Sequence, residues 1–260
     1  MKKSIAKILV SLIKNKDKKK IVYDVLTSRK NIQAYKNILN PIIVPIKGYV
    51  IQGKNNKIIV VENGIERPLK DNERIEGLNI KINGNNNFVK LELPIMAENS
   101  IIEIGNDNVI VDIGTTNCFF NVFIRCCFGN KQYCQIGKKT TIFGAGIILD
   151  ADGGCIIGED CMLSNSIRIW GTDGHSIIDM NTKELLNTSK GPVVIGNHSW
   201  IGEGARITKN ARIGNDCIIG GGTVAYKDYG ENNVVIAGNP GKIVKRGISW
   251  SRDNTYSYKK

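Results

Sequence analysis

Ile195, Ile201, Ile207, Ile213 and Ile219 stand six residues apart, in the hexads IGNHSW, IGEGAR, ITKNAR, IGNDCI and IGGGTV. Gly follows the aliphatic residue in four of the five hexads, and the fifth place is always small: Ser199, Ala205, Ala211, Cys217 and Thr223. The same register is readable upstream at Ile136, Ile142, Ile157, Leu163 and Ile169, with Thr140, Gly146, Cys161 and Ile167 in the fifth place. A period of six is neither helical nor a plain strand alternation. It predicts a solenoid in which each hexad forms one short flat side and three sides close a coil of about 18 residues. Coils then stack at roughly the 4.8 Å strand spacing. The aliphatic residue points inward, Gly eases the corner, and the small fifth residue fits the narrow interior, which makes Cys161 and Cys217 packing residues.

The segments INGNNNFVKLEL and IEIGNDNVIVDIG, with Ile104 and Ile110 six apart, extend the stack into less regular end coils. The expected organisation is mainly β: a parallel β-helix over about 75–240, preceded by residues 1–74 and followed by a tail, 241–260. Residues 1–38 read as helical and 42–70 as short strands with turns at Gly48, Gly53 and Asn63-Gly64. The tail either packs beside the last coil or stays free of it. One interruption stands out. The hexad opened by Ile169 ends at Gly174, residues 175–194 (HSIIDMNTKELLNTSKGPVV) form an insert, and the register resumes at Ile195. A loop leaving a rigid stack is a natural place for function, and it puts His175 at an opened corner where it faces outward. His198, in the fourth place of a regular hexad, reads as structural.

Charge changes this picture little. Eleven of the 36 Lys and Arg but only two of the 24 Asp and Glu lie in residues 1–40, so that segment holds nine of the twelve net positive charges. The rest of the chain offers no broad basic face for nucleic acid. The seven Cys are odd in number and include no C-x-x-C pair, which argues against a disulfide framework or metal site and for a reducing, cytoplasmic compartment. The opening MKKSIAKILVSLIKNKDKKK mimics a signal peptide, but Lys7 breaks its apolar run and no small-residue cleavage site follows. Ile5, Ile8, Leu9, Leu12 and Ile13 have helical spacing opposite lysines. One reading of residues 1–20 is a helix resting on the inner face of an anionic membrane; the other is a helix packed on the body of the protein.

GTDGHSI, together with GPVVIGNHSWIGEGARITKNARIGNDCIIGGGTVAYKDYGENNVVIAGNPGKIVKR, resembles the bacterial hexapeptide-repeat acetyltransferases acting on sugars. The likeness is to galactoside, maltose and nodulation-factor acetyltransferases and, more loosely, to capsule and O-antigen O-acetyltransferases. It spans about 136–246 and rests on a set of motifs: G-H before the insert, W-I-G at 200–202, V-x-x-K-D at 224–228 and A-G-N-P at 237–240. The resemblance implies a left-handed parallel β-helix, an exception to right-handed crossovers, and a homotrimer with active sites between subunits. It implies acetyl-CoA as cosubstrate, no metal, and a sugar or polysaccharide acceptor.

By that resemblance His175 is the general base, a role suited to an imidazole near neutral pH, with direct attack of a hydroxyl on the thioester. Trp200 lines the acetyl-CoA or acceptor site, with Trp170 flanking the same cleft. Asp150 and Asp152, about one coil earlier, either contact the acceptor or the imidazole or simply form turns; Asp173 and Asp179 are the nearer candidates to orient the ring. Gly204, Gly221 and Gly222 match the pantetheine groove, Tyr226 and Lys227 the adenine end, and Lys242 and Lys245 the phosphate contacts. Galactoside-type relatives carry an Asn in the coil before, near Phe143 here, a departure that leaves the acceptor open. Two other readings are an N-acetyltransferase of a nucleotide-linked amino sugar and a non-catalytic β-helix scaffold.

Overall fold

The computed structural model describes residues 48–150 and 153–258; the expected N-terminal helix with its membrane-facing segment, and Asp152, lie outside them. The described residues form three eight-stranded sheets, the first containing Ile167–Trp170, the second Val193–Ile195 and the third Trp200–Ile201; each takes one short strand per coil in parallel register, and together these make a left-handed parallel β-helix. Antiparallel strands occur at the two ends. Ile65–Pro68 folds back on Lys57–Glu62, and Lys242–Arg246 folds back on Val234–Ala237. Both cover sheet edges that would otherwise present unpaired backbone groups.

The aliphatic ladder of the hexads is the core. Ile195, Ile201, Ile207 and Ile219 are wholly buried and Ile213 nearly so, as are Ile142, Leu163 and Ile169 upstream. The fifth-place residues Ser199, Ala205, Ala211, Cys217 and Thr223 are buried as well. Their hydroxyls are satisfied by main chain: Ser199 Oγ donates to the Gly214 carbonyl at 3.0 Å, and Thr223 Oγ1 accepts the Gly238 N–H at 3.2 Å. Burial raises the Cys161 thiol to about 11 and also raises Cys217, so both stay protonated and act as small apolar fillers.

The hexad glycines serve close approach rather than an unusual backbone angle. A Cβ on Gly196 would lie 2.5 Å from the Gly214 carbonyl carbon in the next coil. Left-handed backbone falls two places later instead, at His198, Gly204, Asn210, Asp216 and Gly222, the fourth place of every C-terminal hexad. His198 is therefore a corner residue. Its Nδ1 lies 2.9 Å from Asp216 Oδ1, and its ring stacks on Trp250 of the tail at 4.5 Å. Trp250 Nε1 donates to the His198 carbonyl at 2.7 Å, and Arg252 Nε donates to Asp160 Oδ1 at 3.0 Å. The tail thus packs along the stack.

The rhythm is not uniform. Paired residues are 18 apart in the C-terminal coils, as in Trp200 with Ile218 and Arg206 with Val224. Upstream they are mostly 21 to 23 apart, as in Tyr133 with Gly154, Phe88 with Ile110 and Ile110 with Tyr133. The longer coils carry Asn- and Gly-lined corners that stack on one another: Asp107 Oδ1 accepts the Asn85 N–H at 2.6 Å, and Asn108 Nδ2 donates to Asn130 Oδ1 at 3.2 Å. This shifts the facing of two residues read as interior. Ile110 is half-exposed while Val109 and Val111 are buried, and Gly146 faces open space between buried Ala145 and Ile147. The parallel stack also begins earlier than position 75, because Tyr49–Gln52 already pairs with Leu78–Asn83. The hairpin formed by Lys57–Glu62 and Ile65–Pro68 lengthens that first coil and hides its rhythm.

Candidate active site

Met162 pairs with Trp200 across the interruption, 38 residues apart and twenty more than a regular coil. The excess leaves the stack after the strand Ile167–Trp170 and returns at Val193–Ile195. The insert is a small hairpin: Ile178 and Leu185 form an antiparallel bridge, and Asp179 Oδ1 accepts the N–H groups of Asn181 and Thr182 at 2.8 and 2.7 Å. Those bonds hold the Asp179 carboxyl below the usual aspartate range and commit it to the turn, away from any role in orienting His175. Ile177, Ile178, Met180, Leu185 and Leu186 are all about half or more exposed, an apolar surface on a short hairpin.

His175 is exposed on the rim of an open pocket of about 650 Å³, which Tyr133, Gly154, Asp173, Asn187 and Lys209 also line. Gly154 lets the Tyr133 ring lie over the floor, since a Cβ there would sit 2.6 Å from the ring. Among the described residues no group hydrogen-bonds the His175 imidazole, whereas its backbone is held firmly: Asn187 Nδ2 donates to the His175 carbonyl at 2.8 Å. Asn187 is the hub of the loop. Its Nδ2 also donates to Asp173 Oδ2 at 2.8 Å, its Oδ1 accepts the Ile177 N–H at 2.8 Å, and its carbonyl accepts Lys209 Nζ at 2.6 Å. Lys209 Nζ also lies 2.7 Å from Asp173 Oδ2. The next residue joins in, as Asn210 Oδ1 accepts the Lys190 N–H at 2.7 Å. The hexad ITKNAR, the one without Gly among the five, is thus the footing of the loop.

Partial burial alone would raise the Asp173 carboxyl, but the bonds from Lys209 and Asn187 overcome this and hold it below the usual aspartate range. A carboxyl lowered by folding contributes its full stabilisation above its ordinary value, about 3.9, and loses it as pH falls through the lowered folded value. The protection of the Ile177 and Leu186 amides, taken relative to the intrinsic exchange rate at each pH, is therefore expected to hold from neutral pH down to mild acid and to fall only in stronger acid. Asn187→Ala should abolish that protection at every pH while leaving the exchange of Ile201 and Ile207 unchanged. Uniform exchange across loop and stack in the variant would contradict the hub.

The remaining residues singled out from sequence fall into other places. Asp150 is a corner cap: its Oδ1 accepts the Cys127 and Phe128 N–H groups at 2.8 and 3.2 Å, and its Oδ2 lies 3.4 Å from Arg125. It faces the preceding coil and not the His175 pocket. Trp170, exposed, lines a separate cavity on the outer face of the first sheet. Trp200 is also partly exposed, in the third sheet, with its Nε1 3.5 Å from Ser164 Oγ and its ring 6.2 Å from Trp250. Gly204, Gly221 and Gly222 lie at the corner between the third and first sheets, where Gly222 faces open space. Tyr226 is exposed, Lys227 Nζ lies 5.7 Å from the Tyr229 ring centroid, and Lys242 and Lys245 sit on the terminal antiparallel strand. Within one chain, then, the glycine corner and the His175 loop occupy different corners of the coil. Sequence reasoning missed Tyr133, Asn187 and Lys209; the Gly-less hexad was the signal for Lys209.

A family profile described as "Bacterial transferase hexapeptide (six repeats)" matches residues 192–225. The chain is 34% identical over 118 residues to the polysialic acid O-acetyltransferase of Escherichia coli O1:K1 / APEC, covering 45% of this chain and 38% of that protein. It is 33% identical over 123 residues to the polysialic acid O-acetyltransferase of Neisseria meningitidis, covering 47% and 57%. These matches span well under two thirds of either relative. Among solved structures, the polysialic acid O-acetyltransferase OatWY aligns at a TM-score of 0.55 with 31% identity, over 81% of this chain and 94% of that one. The polySia-specific acetyltransferase NeuO aligns at 0.65 with 25% identity, over 81% and 91%. Among the described residues no helix is long and apolar enough to cross a membrane.

Proposed function

We propose that this chain, which belongs to the hexapeptide-repeat family of bacterial transferases, is an O-acetyltransferase that moves acetyl from acetyl-CoA to a sugar hydroxyl of a surface polysaccharide. The observation that carries the reading is His175: an imidazole with no hydrogen-bond partner among the described residues, on the rim of a pocket, in a loop whose backbone is pinned by Asn187 and Lys209. The polysaccharide acceptor is supported by the chain's relatives, which are polysialic acid O-acetyltransferases.

In this reading the unprotonated imidazole takes the proton of the acceptor hydroxyl as its oxygen attacks, and later returns it to the departing sulfur. Acetyl-CoA supplies the thioester carbon that is attacked. Because the ring makes no bond to the described residues, both nitrogens are left to substrate, and the pinned backbone fixes where the ring can reach. The bare corner at Gly204, Gly221 and Gly222 suits an extended pantetheine chain lying against main chain, and in this reading Lys242 and Lys245 meet its phosphates. That corner and the His175 loop come together between copies of the chain in a trimer. The exposed apolar hairpin supports such an assembly, since an apolar patch of this kind marks an interaction surface.

The test is transfer of labelled acetyl from acetyl-CoA to candidate polysaccharides, with base-labile ester as the expected product. A stable amide product, or a folded chain to which calorimetry detects no acetyl-CoA binding, would overturn the reading.

A further inference from the structure

The outer face of the first sheet carries a second feature. Along Ile167–Trp170 the side chains alternate, Ile167 and Ile169 inward, Arg168 and Trp170 outward. One coil on, Arg206 is the parallel partner of Arg168, so two guanidinium stems leave adjacent strands on the same side, roughly 4.8 Å apart. Like charges directly opposite one another on a sheet are unfavourable. Every other arginine among the described residues has a hydrogen-bond or ion-pair partner: Arg67, Arg125, Arg212, Arg246 and Arg252 meet carboxylates, and Arg74 meets main-chain carbonyls. Among the described residues Arg168 and Arg206 have none.

These two arginines, Trp170, Thr208, Val224 and Asn239 wall a cavity of about 290 Å³. Asn239 comes from the A-G-N-P turn, which joins the strand Val234–Ala237 to the antiparallel strand Lys242–Arg246. The volume is at the lower limit for small-molecule pockets and suits a single sugar ring rather than a whole coenzyme. The chemistry of the walls is specific. Two guanidiniums side by side favour a carboxylate, the exposed indole offers a flat face to pyranose C–H groups, and an amide suits a hydroxyl or acetamido group. The strand bearing Arg168 and Trp170 also runs directly into the loop bearing His175.

We infer that this cavity is an acceptor subsite for a carboxylate-bearing sugar, with Arg168 and Arg206 on the carboxylate, Trp170 against the ring and Asn239 on a polar substituent. The inference rests on the reading of the chain as a sugar acetyltransferase and names the class of its acceptor. A bound carboxylate relieves the repulsion between the arginines, which gives the site a preference for acidic over neutral glycans.

The experiment uses the full chain labelled with fluorotryptophan. Its three tryptophans give three fluorine resonances, and Trp170→Phe assigns the one that matters. Titration with N-acetylneuraminate or glucuronate at constant ionic strength should move the Trp170 resonance, and the methyl esters of the same sugars should not. Arg168→Gln and Arg206→Gln should each weaken the response about tenfold, the loss of a charge-assisted bond, while unmoved Trp200 and Trp250 resonances report an intact fold. No movement with either acid, equal movement with the esters, unchanged titrations in both variants, or a response to CoA alone would overturn the subsite. The readout does not depend on acetyl transfer. A chain that shows the response but transfers no acetyl keeps the subsite and loses the acetyltransferase reading; one that transfers acetyl without the response loses the subsite only.

Discussion

His175→Ala is expected to lower the rate of acetyl transfer between about a hundredfold and ten-thousandfold, the usual contribution of a positioned base. The fall should appear in kcat with little change in the KM for acetyl-CoA, because the proposed donor contacts lie at the glycine corner and not in the loop. Stability should not change: the side chain is exposed and makes no bond to the described residues. Initial rates with labelled acetyl-CoA, beside a thermal melt, check both parts. Undiminished transfer in a variant that melts like the parent would remove His175 as the base. His198→Ala is the internal control. That ring is stacked on Trp250 and bonded to Asp216, so its loss should register in the melt before it registers in the rate.

The second large effect concerns the stack. Ile201 is wholly buried, with Leu163 paired on one side and Ile219 on the other. Ile201→Ala leaves a void between two rungs that cannot close, since each coil is held by its neighbours' backbone bonds. A loss of about 2–5 kcal/mol in unfolding free energy is expected. Ile110→Ala, at a half-exposed position, should cost under about 1 kcal/mol. Denaturant unfolding of both variants separates the cases, and equal losses would mean that the facing of the upstream coils is wrong.

That contrast shows where the sequence is transparent and where it is not. From Ile195 to Val224 the hexads run unbroken and paired residues lie 18 apart, so periodicity alone marks which side chain is inside. Upstream the coils gain several residues at Asn- and Gly-rich corners, and a strict six-residue count drifts out of phase. Ile110 and Gly146 were misread for that reason. His175 was legible because the insert interrupts a regular register. Asp150 was not, because spacing puts it one coil away from the loop but says nothing of the corner amides that claim its carboxylate. Asn187 and Lys209 meet only after the hairpin folds back on the next coil, a contact across 22 residues that no local pattern encodes.

A base on the loop of one copy that serves a donor groove on another makes a demand that mixing can test. His175→Ala and Gly222→Trp, the latter a bulky block at the exposed corner, should each be inactive as pure trimers. Unfolded together and refolded, random assortment gives about a quarter of the interfaces an intact loop facing an intact groove, and activity should return to about that fraction of the parent's. Activity that stays at the sum of the two inactive variants, in trimers shown by native mass spectrometry to be mixed, would contradict a site shared between copies.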